Sequence, residues 1–254
     1  MKIAAQLFTV RDFLKTPDDI YATLKKLKQI GYNVVQVSAM GAIDPELFKS
    51  FIDELGIEVC GTHSTFDRII NDTAALIDEH KLWNCPNVGI GVPPEDMRDG
   101  DGLKRFAELI EKPAKLISDS GLKFTYHNHH FEFKKFGDKT GMDILLENTD
   151  PETFKILADI YWLQAGGIVP TAFLQTHAER IDFVHYKDMY ITDDGRQEIT
   201  ELGNGNIDWV YITEVCRKIG VKYVAIEQDH NWADGNSINS LETSYNYLEN
   251  IIRQ

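Results

Sequence analysis

With 254 residues and 43% hydrophobic content, the chain can bury one large core, and a closed α/β barrel is a single domain of about 250 residues. A formal net charge of -14 repels phosphate backbones and excludes nucleic acid as an expected partner. Three cysteines without CxxC spacing, a strand-like start at Met1-Lys2-Ile3-Ala4 and no apolar run of bilayer length argue against a disulfide framework, a zinc knuckle, export and a membrane anchor, so a cytoplasmic protein is expected.

Residues 3–10 read as a first buried strand, and a segment led by Asp18 follows with Ile20, Leu24, Leu27 and Ile30 on one helical stripe that Gly31 ends. This β-then-α unit repeats. Residues 34–38, 58–62 and 88–92 read as strands, with helices over 45–55 and 71–82 between them and a long helix over 102–120 that Pro113 breaks or bends. The fifth strand enters through Leu122-Lys123-Phe124-Thr125-Tyr126, and residues 141–148 form the next helix. Residues 154–160 and 183–186 supply strands six and seven, with part of a helix over 172–178 after the sixth and a helix over 209–219 after the seventh. Strand eight is 223–226, and 240–252 is the closing helix. Eight alternations with short apolar strands predict a (β/α)8 TIM barrel. The runner-up is a doubly wound open sheet, but no Gly-rich phosphate fingerprint follows the first strand.

In such a barrel the site lies at the carboxyl ends of the strands. The polar residues there are Gln6, Gln36, His63, the group His127, His129 and Glu132, then Asp159, His185 with Lys187 and Asp188, and Glu227 with Gln228 and Asp229. Asp159 and Glu227 each follow an apolar strand, where an unpaired carboxylate costs several kcal/mol, so each must be paired, protonated or bound to a cation. Carboxylates and imidazoles around one point suit Mn²⁺, Mg²⁺, Co²⁺ or a catalytic Zn²⁺, and the lack of thiolates argues against a structural zinc. Two plainer readings stand beside this one: core histidines satisfied by hydrogen bonds, and a salt-bridge network among Lys187, Asp159 and Glu227.

Six stretches taken together carry a family resemblance: Gln6-Leu7-Phe8-Thr9-Val10-Arg11-Asp12, Tyr126-His127-Asn128-His129 with Phe131-Glu132-Phe133, Asp159-Ile160-Tyr161-Trp162, His185-Tyr186-Lys187-Asp188-Met189, Glu201-Leu202-Gly203-Asn204-Gly205 and Glu227-Gln228-Asp229. In this order they resemble the sugar phosphate isomerase/epimerase family of xylose isomerase-like TIM barrels, which includes ketose 3-epimerases and inosose dehydratases. The resemblance covers nearly the whole chain and implies one domain over 1–254. It also implies a divalent metal, Mn²⁺ first with Mg²⁺, Co²⁺ and Zn²⁺ as alternatives, held by Glu132, Asp159, His185 and Glu227. In the epimerases the strand-five glutamate lies near the position of Tyr126 here, so either Glu132 reaches in from the following loop or an imidazole is recruited. Gln36 is a second departure, because many relatives carry an acid there.

The implied chemistry is metal-dependent isomerisation or epimerisation of a sugar, keto-sugar or cyclitol through an enediolate, with Glu227 and Glu132 as the catalytic acid/base pair. Gln6, His63, His127, His129, Trp162, Lys187, Asp188 and Gln228 are the expected substrate contacts, and Phe8 and Trp232 are candidate pocket walls. No phosphate-binding Gly-rich loop or Arg cluster follows strands seven and eight, although Gly203-Asn204-Gly205 could supply backbone donors, and this favours an unphosphorylated substrate. The alternatives are a dehydratase of the inosose type and a non-catalytic carbohydrate-binding barrel. Barrels of this kind often pair, which makes a homodimer an expected partner arrangement.

Overall fold

The structure is a computed structural model, and it describes residues 1–253. Eight strands close a parallel barrel in chain order: β1 (Lys2–Gln6), β2 (Val34–Val37), β3 (Glu58–Ser64), β4 (Asn87–Ile90), β5 (Lys123–His127), β6 (Phe154–Asp159), β7 (Phe183–Tyr186) and β8 (Tyr223–Ile226). The helices are α1 (Pro17–Ile30), α2 (Pro45–Leu55), α3 (Phe66–Asn71), α4 (Thr73–Leu82), α5 (Gly100–Asp119), α6 (Gly141–Glu147), α7 (Ile160–Ala165), α8 (Pro170–Thr176), α9 (Trp209–Ile219) and α10 (Ser237–Ile252). This is the (β/α)8 architecture that the alternation of periods predicts.

By internal contacts the chain divides into two compact units, Met1–Cys60 with Phe183–Gln254, and Gly61–Asp182. In the first unit β1 pairs with β8 through Ala4↔Ala225 and with β2 through Gln6↔Gln36, while β8 pairs with β7 through Ala225↔His185. Gln6 and Gln36 are therefore neighbours in one register. Local signals set its helices: Thr16 and Asp19 form a capping box at α1, Asp44 caps α2, and Gly56 takes the left-handed conformation that stops it. In the second unit His63 aligns with Gly89, Ile90 with Tyr126, and His127 with Leu157. Side chains alternate across a strand, so on β5 Phe124 and Tyr126 share one side, where the Tyr126 ring lies 5.7 Å from Phe106 of α5, and Thr125 and His127 share the other. All three cysteines are free and buried.

Several boundaries depart from the sequence reading, each for a local reason. Strand one stops at Gln6 rather than residue 10, because the Gln6 side chain accepts the Phe8 N–H and turns Leu7–Phe13 into 3-10 geometry. Val10 is apolar because it is buried, not because it is extended. Residues 71–82 contain a break at Asp72, which ends α3 and leads into α4. Pro113 does not break α5, which runs through it with the ring buried. Ile160 opens α7 instead of ending β6, since Asp159 caps that helix. An antiparallel hairpin, Asp188–Ile191 with Gln197–Thr200, lies between β7 and α9 and has no counterpart in the expected elements.

Candidate metal centre

In the Gly61–Asp182 unit the site begins with Asp159, whose position follows from its double duty as the end of β6 and the N-cap of α7. Its Oδ1 accepts the Trp162 N–H at 2.9 Å, and its own backbone N–H donates to Asn128 Oδ1 at 3.0 Å. The other oxygen, Oδ2, is left to face His127 Nε2 at 3.3 Å. The second ring nitrogen of His127, Nδ1, lies 3.1 Å from Gly91 O. A carbonyl only accepts, so Nδ1–H donates to Gly91 O and Nε2 is the nitrogen turned to the Asp159 carboxylate.

In the other unit Glu227 follows β8, and its Oε2 lies 3.0 Å from His185 Nδ1 and 2.9 Å from Lys187 Nζ. Lys187 is only 1% exposed and spans two acids, reaching Asp229 Oδ2 also at 2.9 Å. A buried ammonium needs this double neutralisation. The remaining nitrogen of His185, Nε2, lies 2.6 Å from Gln36 Oε1.

One ligand atom from each of His127, Asp159, His185 and Glu227 lies within 4.8 Å of the other three, and all four residues are buried. Two imidazoles and two carboxylates form a mixed N/O donor set that can hold a divalent ion, with no thiolate to select a structural zinc. The set fits a cation on its own chemistry, because two buried carboxylates and two imidazoles bring four ligand atoms within 4.8 Å of one another.

Glu132 is not in this group, which corrects its expected place as strand-five ligand. Its carboxylate accepts the Tyr126 hydroxyl at 2.7 Å and the His129 N–H at 2.9 Å, and Tyr126 belongs to the side of β5 that packs against α5. Full burial pushes the Glu132 carboxyl up to about 7 despite those two hydrogen bonds. The imidazole of His127 stands in the group instead. Strand parity is the signal that identifies it: Thr125 and His127 point away from the helix layer, and His127 is the last residue of the strand.

The other expected contacts separate into two sets. His63, His129 and Trp162 gather near His127, with the rings of His63 and His129 centred 5.1 and 4.7 Å from it and Trp162 5.4 Å from His129. Lys187 touches Glu227, and Gln6 lies fully buried beside Gln36. Asp188 and Gln228, by contrast, hold loops. The Asp188 carboxylate accepts backbone N–H groups from Met189, Gly203, Gly205 and Ile207, and Gln228 Nε2 donates to Glu201, His230 O and Asn231 O. Gly205 is obligatory there, since a Cβ would strike the Asp188 carboxylate. Glu201 anchors the same region: burial alone would raise its carboxyl, but the Ser240 hydroxyl and the Ala233 N–H draw it down to about 2. Phe8 and Trp232 flank the Arg11 guanidinium at 4.2 and 5.9 Å, so the two candidate walls share a cation.

Comparison with known proteins places the chain in a family. The chain is 22% identical over 205 residues to an inosose dehydratase of Geobacillus kaustophilus (strain HTA426), an alignment covering 70% of this chain and 63% of that protein. A sugar phosphate isomerase/epimerase structure from Parabacteroides distasonis ATCC 8503 superposes with a TM-score of 0.80 at 20% identity, covering 98% of this chain and 97% of that one. A xylose isomerase-like TIM barrel protein from Mycobacterium smegmatis in complex with magnesium gives a TM-score of 0.76 at 12% identity, covering 99% and 96%. At these identities the superpositions establish the fold. The sequence profile of the xylose isomerase-like TIM barrel matches residues 24–250, and the chain belongs to that family.

Proposed function

We propose that the protein is a divalent-metal-dependent enzyme that moves a proton at the carbon beside a carbonyl in an unphosphorylated sugar, keto-sugar or cyclitol. The observation that carries this reading is the buried meeting of His127, Asp159, His185 and Glu227 within 4.8 Å. A divalent ion held by these four residues would supply Lewis acidity that acidifies the C–H beside a substrate carbonyl. Mn²⁺ is the first choice for this donor set, with Mg²⁺, Co²⁺ and Zn²⁺ as alternatives.

The remaining work falls to the chain. Glu227 is the base in this reading, a carboxylate at the end of an apolar strand with one oxygen held by the Lys187 ammonium. The Lys187 ammonium donates to an oxygen that gains negative charge as the proton leaves. His63, His129 and Trp162 supply hydrogen-bonding and stacking surface for a polyol. Glu132, committed to Tyr126 and His129, drops out of the acid/base pair.

Dehydration of an inosose-type cyclitol is the second reading, and Lys187 favours it. An ammonium 2.9 Å from the base can protonate a departing β-hydroxyl after Glu227 has taken the proton. The relative from Geobacillus kaustophilus carries that activity in its name. Ketoses, 3-keto sugars and inososes assayed in deuterated water separate the outcomes. Deuterium in recovered substrate or its epimer supports proton transfer, and loss of water supports the dehydratase. Elemental analysis without stoichiometric metal, joined to no turnover of any of these compounds, would leave a carbohydrate-binding barrel and overturn both readings.

A further inference from the structure

We propose that Gln36 is a positioning residue for His185, holding its Nε2–H so that Nδ1 presents a lone pair on the Glu227 side. This rests on the metal-centre reading above. His185 and Gln36 are both fully buried, and Nε2 lies 2.6 Å from Gln36 Oε1 while Nδ1 lies 3.0 Å from Glu227 Oε2. A neutral imidazole has one N–H and one lone pair, so the partner of one nitrogen dictates what the other can do. If the proton sits on Nδ1 it is spent on Glu227, and His185 offers no lone pair to an ion held beside that carboxylate. If Gln36 Oε1 accepts a hydrogen bond from Nε2–H, Nδ1 becomes the ligand atom.

What makes glutamine suited to this is its freedom to turn. Gln36 Nε2 has no hydrogen-bond partner among the described residues, and neither has Nε2 of Gln6, its register neighbour. Turning the Gln36 amide over therefore breaks no bond elsewhere. It can meet the Nε2 lone pair with its NH2 group when no ion is held, and meet Nε2–H with its carbonyl when one is. A carboxylate in its place accepts only and would hold His185 permanently in the ligating tautomer. Gln36 is thus a neutral partner that follows the proton on His185 and closes the polar network behind the metal centre.

The test uses the whole chain with ¹⁵N-labelled histidine and Zn²⁺ as a diamagnetic probe. In the wild type, Zn²⁺ should bind stoichiometrically and the His185 ring should show Nε2 protonated and Nδ1 metal-shifted. Gln36→Met, which keeps an unbranched stem but no carbonyl, should weaken Zn²⁺ and Mn²⁺ about 10- to 100-fold in chelator competition, the usual effect of losing an outer hydrogen-bond partner of a histidine ligand. Gln36→Glu should restore wild-type affinity or exceed it. Should Gln36→Met fail to fold, the wild-type tautomer and the Gln36→Glu affinity still decide the matter. Zn²⁺ on Nε2 of His185 overturns the proposal, and so does wild-type affinity in a folded Gln36→Met protein. In both cases the metal-centre reading survives. A wild-type protein that binds no divalent ion overturns both.

Discussion

Glu132 and His80 bracket what burial does to a single titratable side chain. Glu132 is held up to about 7 against an ordinary 4.5, so the folded state keeps a proton that the unfolded chain has released. Its effect on stability is therefore most favourable at and below pH 4.5 and declines as pH rises through 7, by an amount on the order of 3 kcal/mol. Glu132→Gln removes that dependence, although its NH2 cannot replace one of the two acceptors that Tyr126 and the His129 N–H now use. Urea unfolding at pH 5 and pH 8 should show the variant gaining on the wild type at the higher pH, and an equal difference at both would refute the assignment. His80 has the opposite sign. Burial lowers it from 6.5 to about 4 while Thr62 Oγ1 and Leu76 O lie 2.9 and 2.7 Å from its ring nitrogens, so its contribution is complete above pH 6.5 and is lost as pH falls towards 4. At the candidate metal centre, Glu227→Gln keeps volume but loses the carboxylate proposed as the base. Turnover and C–H exchange in deuterated water should fall at least about a hundredfold with the fold retained, and exchange at the wild-type rate would remove Glu227 from that role.

Asp188 shows how one carboxylate organises an element. Four backbone N–H groups, from Met189, Gly203, Gly205 and Ile207, converge on its two oxygens and tie the loop after the hairpin back to the end of β7. Leaving such donors unsatisfied costs about 1–3 kcal/mol each when they stay buried, less where water can replace the acceptor. Asp188→Ala should therefore lose at least about 2 kcal/mol in denaturant unfolding and open the 203–207 loop to limited proteolysis. Asp188→Asn, with one acceptor oxygen left, should fall between. A protease-resistant loop in Asp188→Ala would show that the segment is held by its packing instead.

Charge acts over the whole molecule. A net -14 opposes binding to nucleic acid, so metal-loaded protein should neither bind nor nick an abasic-site duplex at physiological salt, and measurable nicking would overturn this expectation. A divalent ion held at the proposed centre would add stability, because it would bind the folded state and not the unfolded chain. At a hundred times its dissociation constant it should add about 2.7 kcal/mol to stability, removed by chelator and read as a fall in thermal midpoint. A midpoint that ignores both Mn²⁺ and chelator would count against the centre at His127, Asp159, His185 and Glu227. Among the described residues no helix is long and apolar enough to cross a membrane.

Local chemistry was enough to announce the eight β-then-α units, since apolar periodicity, N-caps such as Asp44 and stops such as Gly56 act within a few residues of themselves. It also announced Asp159, His185 and Glu227, each a polar residue closing an apolar run. The fourth member of the group was not legible in that way. Glu132 and His127 stand five residues apart in one histidine-rich stretch, and composition does not distinguish them. The pleat of β5 does, by turning Tyr126 towards α5 and taking Glu132 with it while His127 faces the other way. The same holds for Gln36, whose meaning lies in its register beside Gln6 and its reach to His185, and for Asp188, three of whose four partners lie 15 to 19 residues along the chain. Strand parity and long-range register are properties of paired strands, and they came into being only when the barrel closed.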